Sequence, residues 1–195
     1  MFNPKLSFTQ SYVSELGVTG QPNVWLVRVG NFIGAFLLFI AFYFYFLNSK
    51  NNKLPKEKVH LIKILCIATG AALANAFFPM DCSASESRAC FQQQQRYSFG
   101  ISQWVHLFTS IIMFGGLIYT QYYVTYKIIK PTGNMLWVEI GRASIYLQIL
   151  LNISVAIVSF TGYGPIGLLQ RLSLFLFEAC FIIILFNNKL NILDD

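Results

Sequence analysis

Val24–Leu47 reads VWLVRVGNFIGAFLLFIAFYFYFL, an apolar run whose single charge, Arg28, lies near its start. As a helix it is about 36 Å long, enough to cross a hydrocarbon core of about 30 Å. Four further runs share its character: Val59–Met80, Gly100–Val124, Leu136–Phe160 and Ile166–Phe186. Charged residues crowd into the gaps between them. With 55% hydrophobic, 16% aromatic and only 11% charged residues, the chain lacks the polar surface a soluble domain of this length needs. Short alternating strands with turns between them, the mark of a membrane barrel, are absent. Helices remain, because backbone amides in hydrocarbon must be satisfied within their own segment. The expectation is an all-α transmembrane bundle of five spans, 24–47, 59–80, 100–124, 136–160 and 166–186, making one domain over 1–195.

Lysine and arginine set the expected orientation. Lys50, Lys53, Lys56 and Lys58 fill the first inter-helix loop, with Lys63 just beyond. Lys127 and Lys130 sit between spans three and four, and Lys189 follows span five. The N-terminus, the 81–99 loop and the 161–165 turn carry fewer cations, so they are expected outside and the C-terminus in the cytoplasm. The net charge of +6 is thus an orientation signal, not a nucleic-acid footprint, although a Lys-rich loop can also touch anionic lipid. Residues 1–23 lack the apolar core and small-residue cleavage site of a signal peptide. They are expected along the outer interface, as a loop or short amphipathic helix.

Cys66 and Cys180 fall within spans and read as small apolar residues, whereas Cys82 and Cys90 share the outward loop. In an oxidising compartment that pair can form a disulfide worth about 2–3 kcal/mol. A metal site is the rival, but no His or further Cys lies beside the pair. Gln92–Gln95 reads as a solvated polar run.

Ionisable groups inside a bilayer are costly, so each invites a functional and a structural reading. Arg28 either pairs with Glu15 or Asp81 or reaches the headgroups. Asp81 follows a helix C-terminus, where the dipole disfavours a negative charge, so a cation, Arg28 or Arg171, is expected beside it. His106 shares a face with Ser110 and either handles a proton or ligand or is a satisfied structural histidine. Arg171 either binds an anion or headgroup or pairs with Asp81 or Glu15. Glu178, near mid-span, is protonated or paired with Asn75, Gln148 or Asn152. Glu139 and Arg142 form an expected intrahelical pair, and His60 lies at the surface. The two histidines sit near opposite faces, which excludes bis-His haem, and no phosphate loop, nucleophile elbow or zinc-protease helix occurs. No cofactor and no metal is implied.

Three patterns, Tyr12-Val13-Ser14-Glu15-Leu16-Gly17, Asn75-Ala76-Phe77-Phe78-Pro79-Met80-Asp81 and Gly167-Leu168-Leu169-Gln170-Arg171-Leu172, together with Gly30, Gly34 and His106, resemble the domain-of-unknown-function 998 family. These are small polytopic membrane proteins, mostly bacterial and archaeal. The resemblance implies a helical bundle with Ser14, Glu15, Asp81, His106 and Arg171 gathered at the outer face, and a bacterial cytoplasmic membrane. Members typically carry another helix before the Ser-Glu-Leu-Gly stretch; here it is absent, or a partner supplies its packing surface.

The first functional expectation is binding of a lipid headgroup or small amphiphile by Ser14, Glu15, Arg28, Asp81, His106 and Arg171. A bidentate guanidinium suits phosphate or carboxylate. The second is an accessory or scaffold subunit packing on other membrane subunits, helped by the small pair Gly115-Gly116. The third is an intramembrane hydrolase using Ser14 or Ser102 with His106 and Asp81.

Overall fold

The computed structural model describes residues 6–51, 55–162 and 164–186, with 49–51 and 180–186 as backbone only. Lys53, Lys189 and the side chains of Lys50 and Cys180, used in the readings above, lie outside the described residues. All regular structure in the described residues is helical: α1 (Val24–Asn51), α2 (Lys56–Phe77), α3 (Arg88–Gln95), α4 (Ile101–Tyr123), α5 (Met135–Thr161) and α6 (Ile166–Phe186). Among the described residues four helices are long and apolar enough to cross a membrane: Val24–Asn48, Lys56–Phe77, Ile101–Thr132 and Met135–Thr161.

Local chemistry sets the ends. Pro55 precedes α2, and Phe78 (φ −114°, ψ 78°), kept out of the helical region by the following Pro79, closes it. Asn134 caps α5 by accepting from the Trp137 amide, and Gly162, at φ 72°, ends it in a left-handed turn that glycine takes without strain. The third expected span was to stop at Val124. Instead α4 passes into a π-helical segment, Val124–Ile129, and a 3₁₀ turn, Lys130–Thr132, before Gly133 breaks it at φ 75°. Pro131 is accommodated because it stands in the first turn of that 3₁₀ element, where its missing amide is no loss. The Gln run, expected as a solvated loop, belongs to α3, whose N-cap is Ser87 accepting from the Cys90 amide at 3.3 Å.

Neighbours pack in the order α1, α2, α4, α5, α6, which leaves α1 and α6 at the margins. Close approach depends on small residues. A Cβ on Gly116 would stand 3.0 Å from that of Ala68, and one on Gly141 would meet Thr125 Oγ1 at 2.3 Å. The expected small pair therefore splits, because nothing lies within 4 Å of a Cβ on Gly115. Leu61, Ile64, Leu65, Tyr123, Val124, Ile129 and Val138 form the apolar core, at the end of the bundle away from Cys82 and Cys90. Elsewhere large apolar side chains point outward, among them Ile33, Leu37, Phe44, Phe108, Ile111, Leu150 and Ile157. Such an outside suits hydrocarbon as solvent.

Buried polar groups join the helices instead. Gln148 and Asn152 on α5 both donate to Ser173 Oγ on α6, at 2.7 and 3.1 Å. Asn75 on α2 donates to Ser110 at 3.1 Å and accepts from Thr109. The three amides considered as partners for Glu178 thus donate elsewhere. Glu178 lies exposed on α6, with no hydrogen bond or ion pair among the described residues. Glu139 and Arg142 do pair along α5.

Candidate functional site

All six residues singled out from the sequence lie at the disulfide end of the bundle, in two knots. The first ties the exit of α2 to the start of α4. Past its last turn α2 leaves carbonyls without helical donors, and α4 leaves amides without acceptors. His106 Nδ1 donates to the Phe78 carbonyl at 2.8 Å, and Ser102 Oγ to that of Pro79 at 2.8 Å. The Asp81 amide donates to Gln103 Oε1 at 3.2 Å. Asp81 Oδ2 in turn accepts from the Gly100 amide at 3.1 Å. The expectation that Asp81 needs a cation is corrected here. Its carboxyl sits at the N-terminus of α4, where the dipole favours negative charge, rather than serving the helix it follows.

The second knot straps residues 6–20 across the bundle end. Glu15, in a 3₁₀ turn (Val13–Gly17), is 0% exposed. It accepts from the Tyr12 amide at 3.0 Å, the Ser85 amide at 2.9 Å and the Ser85 hydroxyl at 2.6 Å. Arg171 Nη1 donates to the Phe8 carbonyl at 2.7 Å and the Ser11 carbonyl at 3.0 Å, and its guanidinium lies 4.6 Å from the Phe8 ring centre. Arg28 donates to the Gly17 carbonyl at 2.7 Å and to Thr19 at 2.9 Å. Neither arginine pairs with Glu15 or Asp81, the partners considered from the sequence. Ser14 donates to the Met80 sulfur at 3.1 Å.

Sequence reasoning missed three further contributors to the strap. Gln170 Oε1 accepts from the Val13 amide at 2.7 Å, and the Leu168 amide donates to the Thr9 carbonyl at 3.0 Å. Gly167 is needed because a Cβ there would stand 2.2 Å from the Ser11 carbonyl oxygen. All three lie in the Gly167–Leu172 pattern, so the signal was present, but only Arg171 was read from it. Tyr12 reaches Ser159 on α5, and burial pushes its phenol above its ordinary pKa, so it holds its proton.

Chemically, these bonds occupy the groups a hydrolase would use. Ser14 and Ser102 are bonded to Met80 and Pro79, neither to His106, and Asp81 has no bond to the imidazole. A nucleophile, base and orienter in series are not assembled among the described residues.

Cys82 and Cys90 sit at disulfide distance beside the strap, their Cα atoms 5.9 Å apart. Denaturing alkylation without reductant is expected to leave both unlabelled, and Cys82→Ser to cost about 2–3 kcal/mol of stability. Labelling of both thiols in the purified protein would refute the bond.

A family model described as "Protein of unknown function (DUF998)" matches residues 1–187. The chain belongs to that family. The DUF998 match spans both knots, from the strap through α6, so the three sequence patterns and the bonds they make lie within the family's extent. No curated protein matches this DUF998 chain, and no solved structure does.

Proposed function

We propose that this protein is an accessory subunit of a larger membrane assembly. In this reading it has five spans, α6 being the fifth, with its N-terminus outside and its C-terminus in the cytoplasm of a bacterial inner membrane. The Lys and Arg distribution supports the orientation. One observation carries the subunit reading. Glu178 lies on an outward apolar face of α6 with Leu172 (44% exposed) and Phe175 (68% exposed), and has no partner among the described residues. It stands about 18 Å along α6 from its start, near mid-bilayer for a spanning helix. A carboxyl left facing lipid there costs roughly 2.5–3.5 kcal/mol, a cost that a donor from another subunit removes. At the other margin, α1 presents Gly30, Gly34 and Ala41 on one exposed face, with nothing within 4 Å of a Cβ on either glycine. Small residues so spaced admit a close helix neighbour.

The test compares the wild type with Glu178→Leu and Glu178→Gln, extracted from native membranes in mild detergent and weighed by native mass spectrometry. A protein partner held by the wild type and Glu178→Gln but lost from Glu178→Leu is expected. A photo-crosslinker at Phe175 should reach that partner, and one at the equally outward Phe108 should not. A bare monomer in all three preparations refutes the reading.

A second reading, binding of a lipid headgroup or amphiphile at the strap end, is favoured by one feature. Arg171 uses only Nη1 on the strap, so its other guanidinium nitrogens have no hydrogen-bond partner among the described residues. The same spectra test it: a lipid retained by the wild type and by Arg171→Lys but lost from Arg171→Ala supports it, and an Arg171→Ala protein that retains as many lipids as the wild type refutes it.

A further inference from the structure

At the end of the bundle opposite the disulfide, a groove of about 520 Å³ opens along the seam where the last turns of α4 meet the first turns of α5. Its charged rim is Lys127, Lys130 and Arg142. One carboxyl, Glu139, offsets Arg142. Both lysines are exposed, and neither forms an ion pair among the described residues. Lys130 lies 6.0 Å over the ring of Tyr126.

The lining changes character along its length. Beyond the cations come Tyr146 (65% exposed) and Ile149 (38% exposed), over a floor that includes buried Ile145. Arg142 stands about 10 Å along α5 from Met135 and Ile149 about 21 Å, so the cations hold the headgroup level and the apolar wall runs toward the bilayer interior. Tyrosine at that level is the ordinary interfacial residue. The π-helical segment Val124–Ile129 carries Tyr126 and Lys127. Its wider turn alters the regular α-helical register of these side chains, as such turns often do at binding sites.

We propose that this groove binds an anionic phospholipid, its phosphate held by Lys127, Lys130 and Arg142 and one acyl chain lying along Tyr146 and Ile149. The volume suits a headgroup and the start of a chain, not a whole lipid. The polarity, cations at one end and hydrocarbon at the other, matches an amphiphile already resident in the membrane. Neither the strap nor Glu178 takes part, so this inference stands apart from the subunit reading.

The experiment titrates detergent-solubilised protein with phosphatidylglycerol or phosphatidylcholine of the same chains and reads bound lipid by native mass spectrometry. The wild type is expected to prefer phosphatidylglycerol. At about fivefold per cation, Lys127→Ala with Lys130→Ala should weaken it roughly thirtyfold. Lys56→Ala with Lys63→Ala removes the same charge from exposed positions at the same end but outside the groove, and should leave the affinity at its wild-type value. Equal affinity for the two lipids overturns the proposal. So does an equal loss in the two double variants, which would reduce the effect to general surface charge. All four lysines are exposed, so neither variant threatens the fold.

Discussion

Glu15→Ala is expected to lower the stability of the detergent-solubilised protein by roughly 3 kcal/mol and to open residues 8–20 to protease. Glu15 is fully buried and its carboxylate accepts three hydrogen bonds, two of them from the backbone amides of Tyr12 and Ser85. Alanine leaves the part-buried Tyr12 and Ser85 amides without their acceptor, and an uncompensated buried donor costs about 1–3 kcal/mol. It also weakens the tie between the strap and the Ser83–Ser87 turn, because the Ser85 hydroxyl loses the carboxylate and keeps, on the strap, only its 2.8 Å bond to the Ser11 hydroxyl. Glu15→Gln should fall between alanine and the wild type, since its amide can accept through one oxygen but turns an NH₂ toward other donors. The readouts are a thermal melt in mild detergent and limited proteolysis with mapping of the first cut. An unchanged melt and a protected N-terminal segment in Glu15→Ala would show that the strap is held without this carboxyl. Ser85→Ala provides a control, because it removes one hydroxyl but keeps the Ser85 amide bond, and a smaller loss is expected.

Four of the five expected spans were legible as helices long and apolar enough to cross a membrane, because uniform apolar length is a property of composition. Their ends were less so. Lys127 and Lys130, read as loop cations, pointed to an earlier stop for α4, but tertiary burial of Val124, Thr125 and Ile129 carries the helix on. Helix α3 escaped because a glutamine run has no apolar period, whereas its capping Ser87 and anchored Cys90 act locally. At the bundle end, the residue types that matter were named correctly as polar groups with a cost, but most of their partners could not be read. Arg28, Arg171, His106 and Ser102 all spend bonds on backbone carbonyls, at Gly17, Phe8, Ser11, Phe78 and Pro79. A sequence shows side chains, and pairing side chain with side chain overlooks the orphan carbonyls of helix exits, which every residue type supplies equally. Asp81 was misread for a related reason: only the helix it follows is visible along the chain, and the N-cap of the helix it serves, Gly100, lies nineteen residues later.

Gly141→Ala, a single added methyl group, is expected to destabilise the protein by at least about 1–3 kcal/mol, while Gly115→Ala is expected to stabilise it by up to about 1 kcal/mol. The two glycines look alike in sequence, each inside a long apolar helix where alanine is the better helix former by about 1 kcal/mol. What differs is the neighbour. At position 115 the new Cβ meets nothing within 4 Å, so helix propensity alone acts. At position 141 it stands 2.3 Å from Thr125 Oγ1, 2.8 Å from Cγ2 and 3.1 Å from Cβ, and Thr125 is only 1% exposed. A β-branched side chain in a closed site has no free rotamer to retreat into, so α5 must move off the π-helical segment of the α4 arm. Shifting that seam also disturbs the Ile129 and Val138 contacts of the apolar core, which lie on the same two elements. Thr125→Ala removes the two nearest atoms but leaves the Cβ at 3.1 Å, so the double variant should recover part of the loss and not all of it. The four thermal midpoints form a cycle whose coupling term isolates this one contact. Additive losses, or a Gly141→Ala protein as stable as the wild type, would mean that the two helices do not approach as closely as a bare glycine permits.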